Sequence, residues 1–276
     1  MKHLLRTLWV ATVALVAGCA GTASYTPTGK IEVLWLGQSA FRITTLTGKV
    51  IVVDPWLTTN PKTPAQYKDL KGLGKVDAIL VTHGHPDHVT DAPALAKLNN
   101  VKVVMSSTLA RTLAEVGVLP SEFASGMNKS GVVTPVGADV KVTMVRAEHS
   151  SEYVWRNPAS GKDEIRFGGE PAGFIIELEN GFRIYHTGDT GLFGDMRLIA
   201  ELYKPDLVLI SIGGNFTVNA QSAAYAVREM VKPQFAIPMH YGTFPIIAAN
   251  PDDFVKALAG SATKAIVLQP GEKATF

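Results

Sequence analysis

The chain has one cysteine, Cys19, and that scarcity removes two kinds of chemistry at once. No intramolecular disulfide can form, and no thiolate is available elsewhere as a metal ligand or nucleophile. Charge of either sign is not in excess: setting aside Lys2 and Arg6 of the N-terminal segment leaves 24 basic against 24 acidic side chains. A protein built to hold long nucleic acids normally carries a positive excess, so no nucleic-acid partner is expected. Long apolar runs are scarce too. The apolar stretch at 8–17 falls short of the about 20 residues that a membrane span needs.

That stretch, preceded by Lys2 and Arg6 and followed by small residues, has the build of an export signal. Its end, Val16-Ala17-Gly18-Cys19, resembles a bacterial lipobox. The organisation read from this is a lipoprotein signal peptide at 1–18, a polar linker at 19–29 and the folded domain at 30–276. The resemblance implies that Cys19 takes a lipid and anchors the chain to a bacterial membrane, facing the periplasm. Ala20 lacks the acidic character that commonly retains lipoproteins at the inner membrane, so the outer membrane is expected. Hydrophobic residues, 46% of the chain, suffice for a core that no disulfide supports.

Short β-branched and apolar runs at 31–36, 40–45 and 50–53 read as a strand meander. Further strands are expected at 78–81, 102–105, 140–145, 173–178, 182–185, 207–210, 235–237 and 265–268. Helical periodicity marks 93–98, 109–116, 193–203, 221–231 and 251–258. Strand-rich beginnings followed by alternation imply mixed sheets covered by helices. The polar, Gly-containing segment 151–171 reads as a long loop.

Histidine, by contrast, is concentrated. Residues 83–88 read HGHPDH, holding three of the chain's seven histidines. They follow the run 78–81, at the carboxyl end of a strand, where open α/β sheets bind ligands. In an extended segment residues two apart face the same side, so His83 and His85 can grip one ion, with Gly84 letting the backbone bend between them. Pro86-Asp87 reads as a helix start that turns Asp87 and His88 toward a second ion. These four ligands do not complete two ions. His149 after 140–145, Asp189 in YHTGDTG and His240 in IPMHYGT are candidates for the remainder, each past a strand end. Three or four protein ligands per ion leave room for water, as a catalytic site requires.

The order HxHxDH, distant His, Gly-Asp, late His resembles that of the metallo-β-lactamase fold. More narrowly, WLGQSAF, DPWLTTNP, THGHPDH, AEHSS, YHTGDTGLFGDM, IGGNFTVNAQSAA and PMHYGTFP resemble a branch of metal-dependent hydrolases. That branch is similar to ascorbate-6-phosphate lactonase and N-acyl phosphatidylethanolamine phospholipase D. The resemblance implies an α/β protein, an αβ/βα four-layer sandwich of two mixed sheets flanked by helices. It implies that His83, His85 and His149 hold one ion, Asp87, His88 and His240 the other, and that Asp189 bridges them. It also implies that Asp54 orients a metal-binding imidazole. Gln38 departs from the pattern, since the branch usually has histidine there. β-Lactam-hydrolysing members lack the bridging Asp, and di-iron oxygen-reducing members usually carry Glu where His85 stands; both are disfavoured.

The expected activity is that of a dinuclear metal-dependent hydrolase, with a metal-bridging hydroxide attacking a phosphodiester or a lactone or ester bond. Asp87 and Asp189 belong to its catalytic centre. His186 is read as a proton carrier, a support for the ligands, or only a strand-end residue; Asn215 in GGNFT as an oxyanion donor or a tight-turn residue. Zn is the first expectation for the two divalent ions, and Mn or Fe suit the same donors. The substrate is expected to be a small molecule or a phospholipid. The alternative is a lipid-anchored metal-binding or interaction protein whose hydrolase fold does not catalyse. Thr90 and Asp91 read as helix-cap or solvent groups, and Trp56, Tyr241, Phe244 and Trp155 as core or pocket-wall aromatics.

Overall fold

Strand Glu32–Gly37 shows how the sequence sets the layers. Its side chains alternate, Val33 and Trp35 entering one apolar cluster and Leu34 and Leu36 another, because successive residues of a strand point to opposite faces. Strand Leu207–Ser211 does the same with Leu207 and Leu209 on one side and Val208 and Ile210 on the other. Both strands are apolar on both faces because both faces are covered.

The computed structural model describes residues 29–276. The expected signal peptide at 1–18, Cys19 and the linker up to residue 28 lie outside the described residues. Within them are two seven-stranded mixed sheets. The first runs in the order Lys273–Thr275, Glu32–Gly37, Ala40–Thr44, Val50–Val53, Ala78–Leu80, Val103–Ser106 and Ala124–Met127. The second runs Lys264–Ala265, Phe235–Met239, Leu207–Ser211, Arg183–His186, Ala172–Glu177, Lys141–Arg146 and Val132–Val133. Their inner faces share a core that includes Trp35, Phe41, Phe174 and Ile237. Helices Ala92–Asn99 and Ser107–Glu115 cover the outer face of the first sheet. Met196–Tyr203, Ala220–Tyr225 and Pro251–Ala257 cover that of the second. This is the four-layer αβ/βα sandwich. Among the described residues no helix is long and apolar enough to cross a membrane.

Two expectations need correction. The segment 151–171 is not a loop: Glu152–Arg156 and Asp163–Phe167 pair as an antiparallel hairpin, Trp155 opposite Glu164 and Val154 opposite Ile165. Its ends are held by Gly168 N donating to Ser151 O. The helix expected at 221–231 is regular only over Ala220–Tyr225 and then widens to a π-helical turn over Ala226–Val231, with Lys232 N reaching back to Val227 O at 2.8 Å.

Strand direction places the ligand candidates. Arg183–His186, Leu207–Ser211 and Phe235–Met239 are mutually parallel. Lys141–Arg146 is antiparallel to Ala172–Glu177, itself antiparallel to Arg183–His186, so it too runs the same way. The loops holding His149, Asp189 and His240 therefore leave one edge of the second sheet. In the first sheet the parallel pair Val50–Val53 and Ala78–Leu80 delivers Asp54 and the 83–88 segment together.

Candidate metal centre

The 83–88 segment is shaped from both sides. His83 is buried past the strand end, and His85 is the N-cap of a short helix, Pro86–Val89, with Pro86 at its first position, where a missing N–H costs nothing. That turn separates His83 and His85 from Asp87 and His88. At Gly84 a Cβ would stand 3.1 Å from Gly168 Cα and 3.3 Å from Glu152 O, so the hairpin backbone packs closely on the bare residue there. Gly188, with φ 61°, turns the chain into Asp189 where a Cβ would meet Ala172 O at 2.5 Å.

All seven candidates converge at one cleft edge in two groups. His83, His85 and His149 form one; Asp87, His88, Asp189 and His240 form the other, and within each group the donor atoms lie within 4.8 Å of one another. His83 Nε2 and His85 Nδ1 approach to 2.9 Å. Asp189 Oδ2 sits between the groups, 2.8 Å from His240 Nε2, 3.2 Å from His88 Nε2 and 3.8 Å from His149 Nε2.

The imidazoles are oriented from behind. Asp54 accepts from Thr82 N (2.8 Å) through Oδ1, and from Thr82 Oγ1 (2.7 Å) and His88 Nδ1 (2.8 Å) through Oδ2. With its hydroxyl proton spent on Asp54, Thr82 Oγ1 is left to accept from His83 Nδ1 at 3.0 Å. In the neutral form both rings would thereby carry their proton on Nδ1 and turn Nε2 into the site, the tautomer a metal ligand needs. His85 Nε2 faces Glu152 at 3.2 Å, which leaves its Nδ1 for the centre. His88 Nε2 is fully buried and aligned to hydrogen-bond with no described residue, an expense that a coordinated cation would remove. Imidazole and carboxylate donors with these free atoms fit a divalent transition metal.

Charge follows the same arrangement. Burial opposes ionisation of His88, but the carboxylates of Asp189, Asp87 and Asp54 outweigh it and hold the ring well above the ordinary histidine value. Against the same opposition Asp189 raises His240 to about 9. Asp189 itself, though buried, is held well below the usual carboxylate range by His240 and His88. Burial pushes His83 and His149 down, toward the neutral, ligating form.

Gln38, Asp54 and His240 all adopt left-handed backbone, φ 52°, 47° and 57°, a conformation that non-glycine residues hold only when their surroundings enforce it. Gln38 O accepts from His240 N at 3.0 Å. Its side-chain Nε2 donates to Asp87 Oδ2 at 2.8 Å and stands 2.8 Å from His240 Nε2. The residue that departs from the pattern thus braces two ligand candidates.

Two expected site residues stand apart. His186 is fully buried, its Nε2 donating to Ser39 O (3.0 Å) and its Nδ1 accepting from Gly188 N (3.1 Å), with its ring edge-on to Phe41. Both nitrogens are committed to backbone away from the cleft, which corrects the proton-carrier expectation. His186 ties the Ser39 loop to the turn before Asp189. Asn215 is exposed at the tip of a left-handed turn, φ 49°; Phe216, not Asn215, lines the cleft, so the oxyanion-donor expectation is corrected to a turn.

Three supports escaped the sequence reading. Ser39 Oγ donates to Asp189 Oδ1 at 3.3 Å. Glu152 holds His85 from the hairpin. Asp91 does stand at the N-cap of Ala92–Asn99, but its buried side chain caps no helix N–H: it accepts from Leu57 N, Thr58 N and Thr58 Oγ1 at 2.6, 2.9 and 2.7 Å, pinning the loop behind Asp54. Of the aromatics, Trp56 and Phe244 line the cleft and Tyr241 stacks on Trp35.

The family model for the Beta-lactamase superfamily domain matches residues 49–241. A UPF0173 metal-dependent hydrolase of a Polaromonas species is 58% identical over 276 residues, covering all of both chains. One of Cupriavidus necator is 56% identical, again covering all of both. The solved structure of a metallo hydrolase from the hyperthermophilic archaeon Ignicoccus hospitalis is 32% identical with a TM-score of 0.75, covering 90% of this chain and 98% of that one. By sequence along its whole length and by fold, the chain belongs to the metallo-β-lactamase superfamily and, within it, to the UPF0173 metal-dependent hydrolases.

Proposed function

We propose that the chain is a two-ion hydrolase acting on a phosphodiester or a carboxylic ester or lactone. The observation that carries this is the position of Asp189 Oδ2, in reach of imidazoles from both ligand groups. His83, His85 and His149 would hold one ion, Asp87, His88 and His240 the other, and Asp189 would serve both. Zn is the first choice for this donor set, with Mn or Fe accommodated. Such ions supply Lewis acidity and ionise water near neutral pH. The chain's own residues do the rest. Asp54 and Thr82 fix the tautomers of His88 and His83, and Glu152 fixes the ring of His85. Ser39 stops Asp189 from rotating, and Gln38 sets the spacing of Asp87 and His240. Preorganised in this way, the ligands need not move when charge develops.

Native mass spectrometry of the chain during Zn titration, run beside turnover of a chromogenic ester and a chromogenic phosphodiester, tests the reading. Two bound ions are expected, with turnover rising with the second. Full turnover with a single ion overturns it, while two ions with no turnover of either ester leaves the non-catalytic metal-binding alternative.

The leader supports a second element of the proposal: the mature chain begins at a lipidated Cys19 and is held at a membrane facing the periplasm, in a two-membrane cell the outer one. Mass spectrometry of the N terminus from the native host should find a diacylglyceryl cysteine there; an unmodified Met1 would refute it.

A further inference from the structure

We infer that the cleft accepts an uncharged carboxylic ester or lactone carrying an alkyl or aryl group, in preference to a phosphodiester anion; this rests on the two-ion reading above. The cleft beside the ligand groups holds about 550 Å³, room for a small molecule of drug-like size. Its wall is apolar. Trp56 stacks on Phe244 with ring centroids 5.8 Å apart and planes 26° from parallel, and Phe216 and Ile247 line the same space. Phe244 and Phe216 are 42% and 57% exposed. Clustered aromatic surface at a cleft mouth is the usual mark of an apolar ligand.

The charges point the same way. Among the described residues lining the cleft there is no lysine or arginine, while Asp87, Asp189 and Glu152 are present. Lys129 and Arg146 line a separate depression that touches His149, and there they pair with Glu170 and with Glu148 and Asp195. By formal charge, Asp54, Asp87, Asp189 and Glu152 would offset two divalent cations, and the cleft lining adds no cation of its own. A phosphodiester brings a full negative charge that calls for charge-assisted donors; a neutral carbonyl needs only polarisation. In the reaction inferred, the oxygen of water bonds to the acyl carbon and the acyl C–O bond breaks with its electron pair on the leaving oxygen. One proton of the water goes to that alkoxide. The other is released as the acid product ionises to carboxylate.

The test compares two ligands of similar apolar reach with the full, metal-loaded chain: 2-hexylcyclopentanone, the ketone counterpart of an alkyl lactone that cannot be hydrolysed, and dihexyl phosphate. Binding is read from tryptophan fluorescence, with Trp56→Phe identifying the cleft's signal. The ketone should bind about tenfold or more tightly than the phosphate, and Phe244→Ala should weaken it about tenfold. A δ-lactone with the same alkyl chain should be hydrolysed, followed by acid release, in a manner lost with Asp189→Asn. Equal or tighter binding of the phosphate, or a ketone indifferent to Phe244→Ala, overturns the inference. If phosphodiesters are then turned over in an Asp189-dependent way, the two-ion hydrolase stands without it. If neither class shows Asp189-dependent turnover, the hydrolase reading fails as well.

Discussion

Asp189→Asn should lower turnover by about a thousandfold at matched metal occupancy, equivalent to about 4 kcal/mol of transition-state stabilisation. The substitution keeps the volume of a side chain that is almost wholly buried, and its carbonyl can still accept from Ser39 Oγ. What it removes is the charge at the point where His88, His149 and His240 converge. An amide nitrogen in the Oδ2 position would set a donor against His240 Nε2 at 2.8 Å, and the anion that raises His240 to about 9 would be gone. Neither group of ligands is emptied, so metal should still bind, at reduced occupancy or affinity for the second ion. Steady-state rates with the occupancy measured on the same sample decide the matter. A rate within threefold of the parent would show that the carboxylate between the groups contributes nothing to the reaction.

Asp54→Asn, which touches no position that a substrate could reach, should still weaken metal binding by about 10- to 100-fold. Asparagine tolerates the left-handed backbone that position 54 adopts, so the fold has no reason to fail there. The effect is on protons. The amide can accept from Thr82 N as the carboxylate does, but its NH₂ then faces Thr82 Oγ1, which can turn to accept, and His88 Nδ1, whose proton is left without an acceptor. His88 must turn to the other tautomer and carry its proton on Nε2, where the metal would be. Competition with a chromophoric chelator reads the affinity directly. Unchanged affinity would show that the His88 tautomer is not set by Asp54.

Much of this site was legible because its residues carry their chemistry in short, strand-anchored motifs. HGHPDH sits where an apolar run ends, and His149, Asp189 and His240 each follow another such run; parallel strands then bring those ends to one edge without further instruction. The supports were less visible for a physical reason. Asp91 acts on residues 57 and 58, and Ser39 acts on residue 189, so nothing in their local sequence announces the partner. His186 was readable in principle: it shares strand parity with Ile184, which faces the core between the sheets, and that parity turns the ring inward, away from the cleft. The hairpin at 152–167 also carried alternation, Tyr153 with Trp155 and Ile165 with Phe167, but its charged and exposed outer positions masked the period.

The two ligand groups share one more property. His83 and His85 follow a strand of the first sheet and His149 one of the second; Asp87 and His88 come from the first, Asp189 and His240 from the second. An ion seated in either group is a rivet through both halves of the sandwich, joining positions far apart along the chain. With Cys19 as its sole cysteine, the chain has no covalent way to close such loops internally. Coordination would close them reversibly, with a strength that rises with the free metal concentration. With ions so held, the metal supply around the protein would set how firmly its halves are fastened to each other, and scarcity would loosen the frame at the same time as it silenced the chemistry.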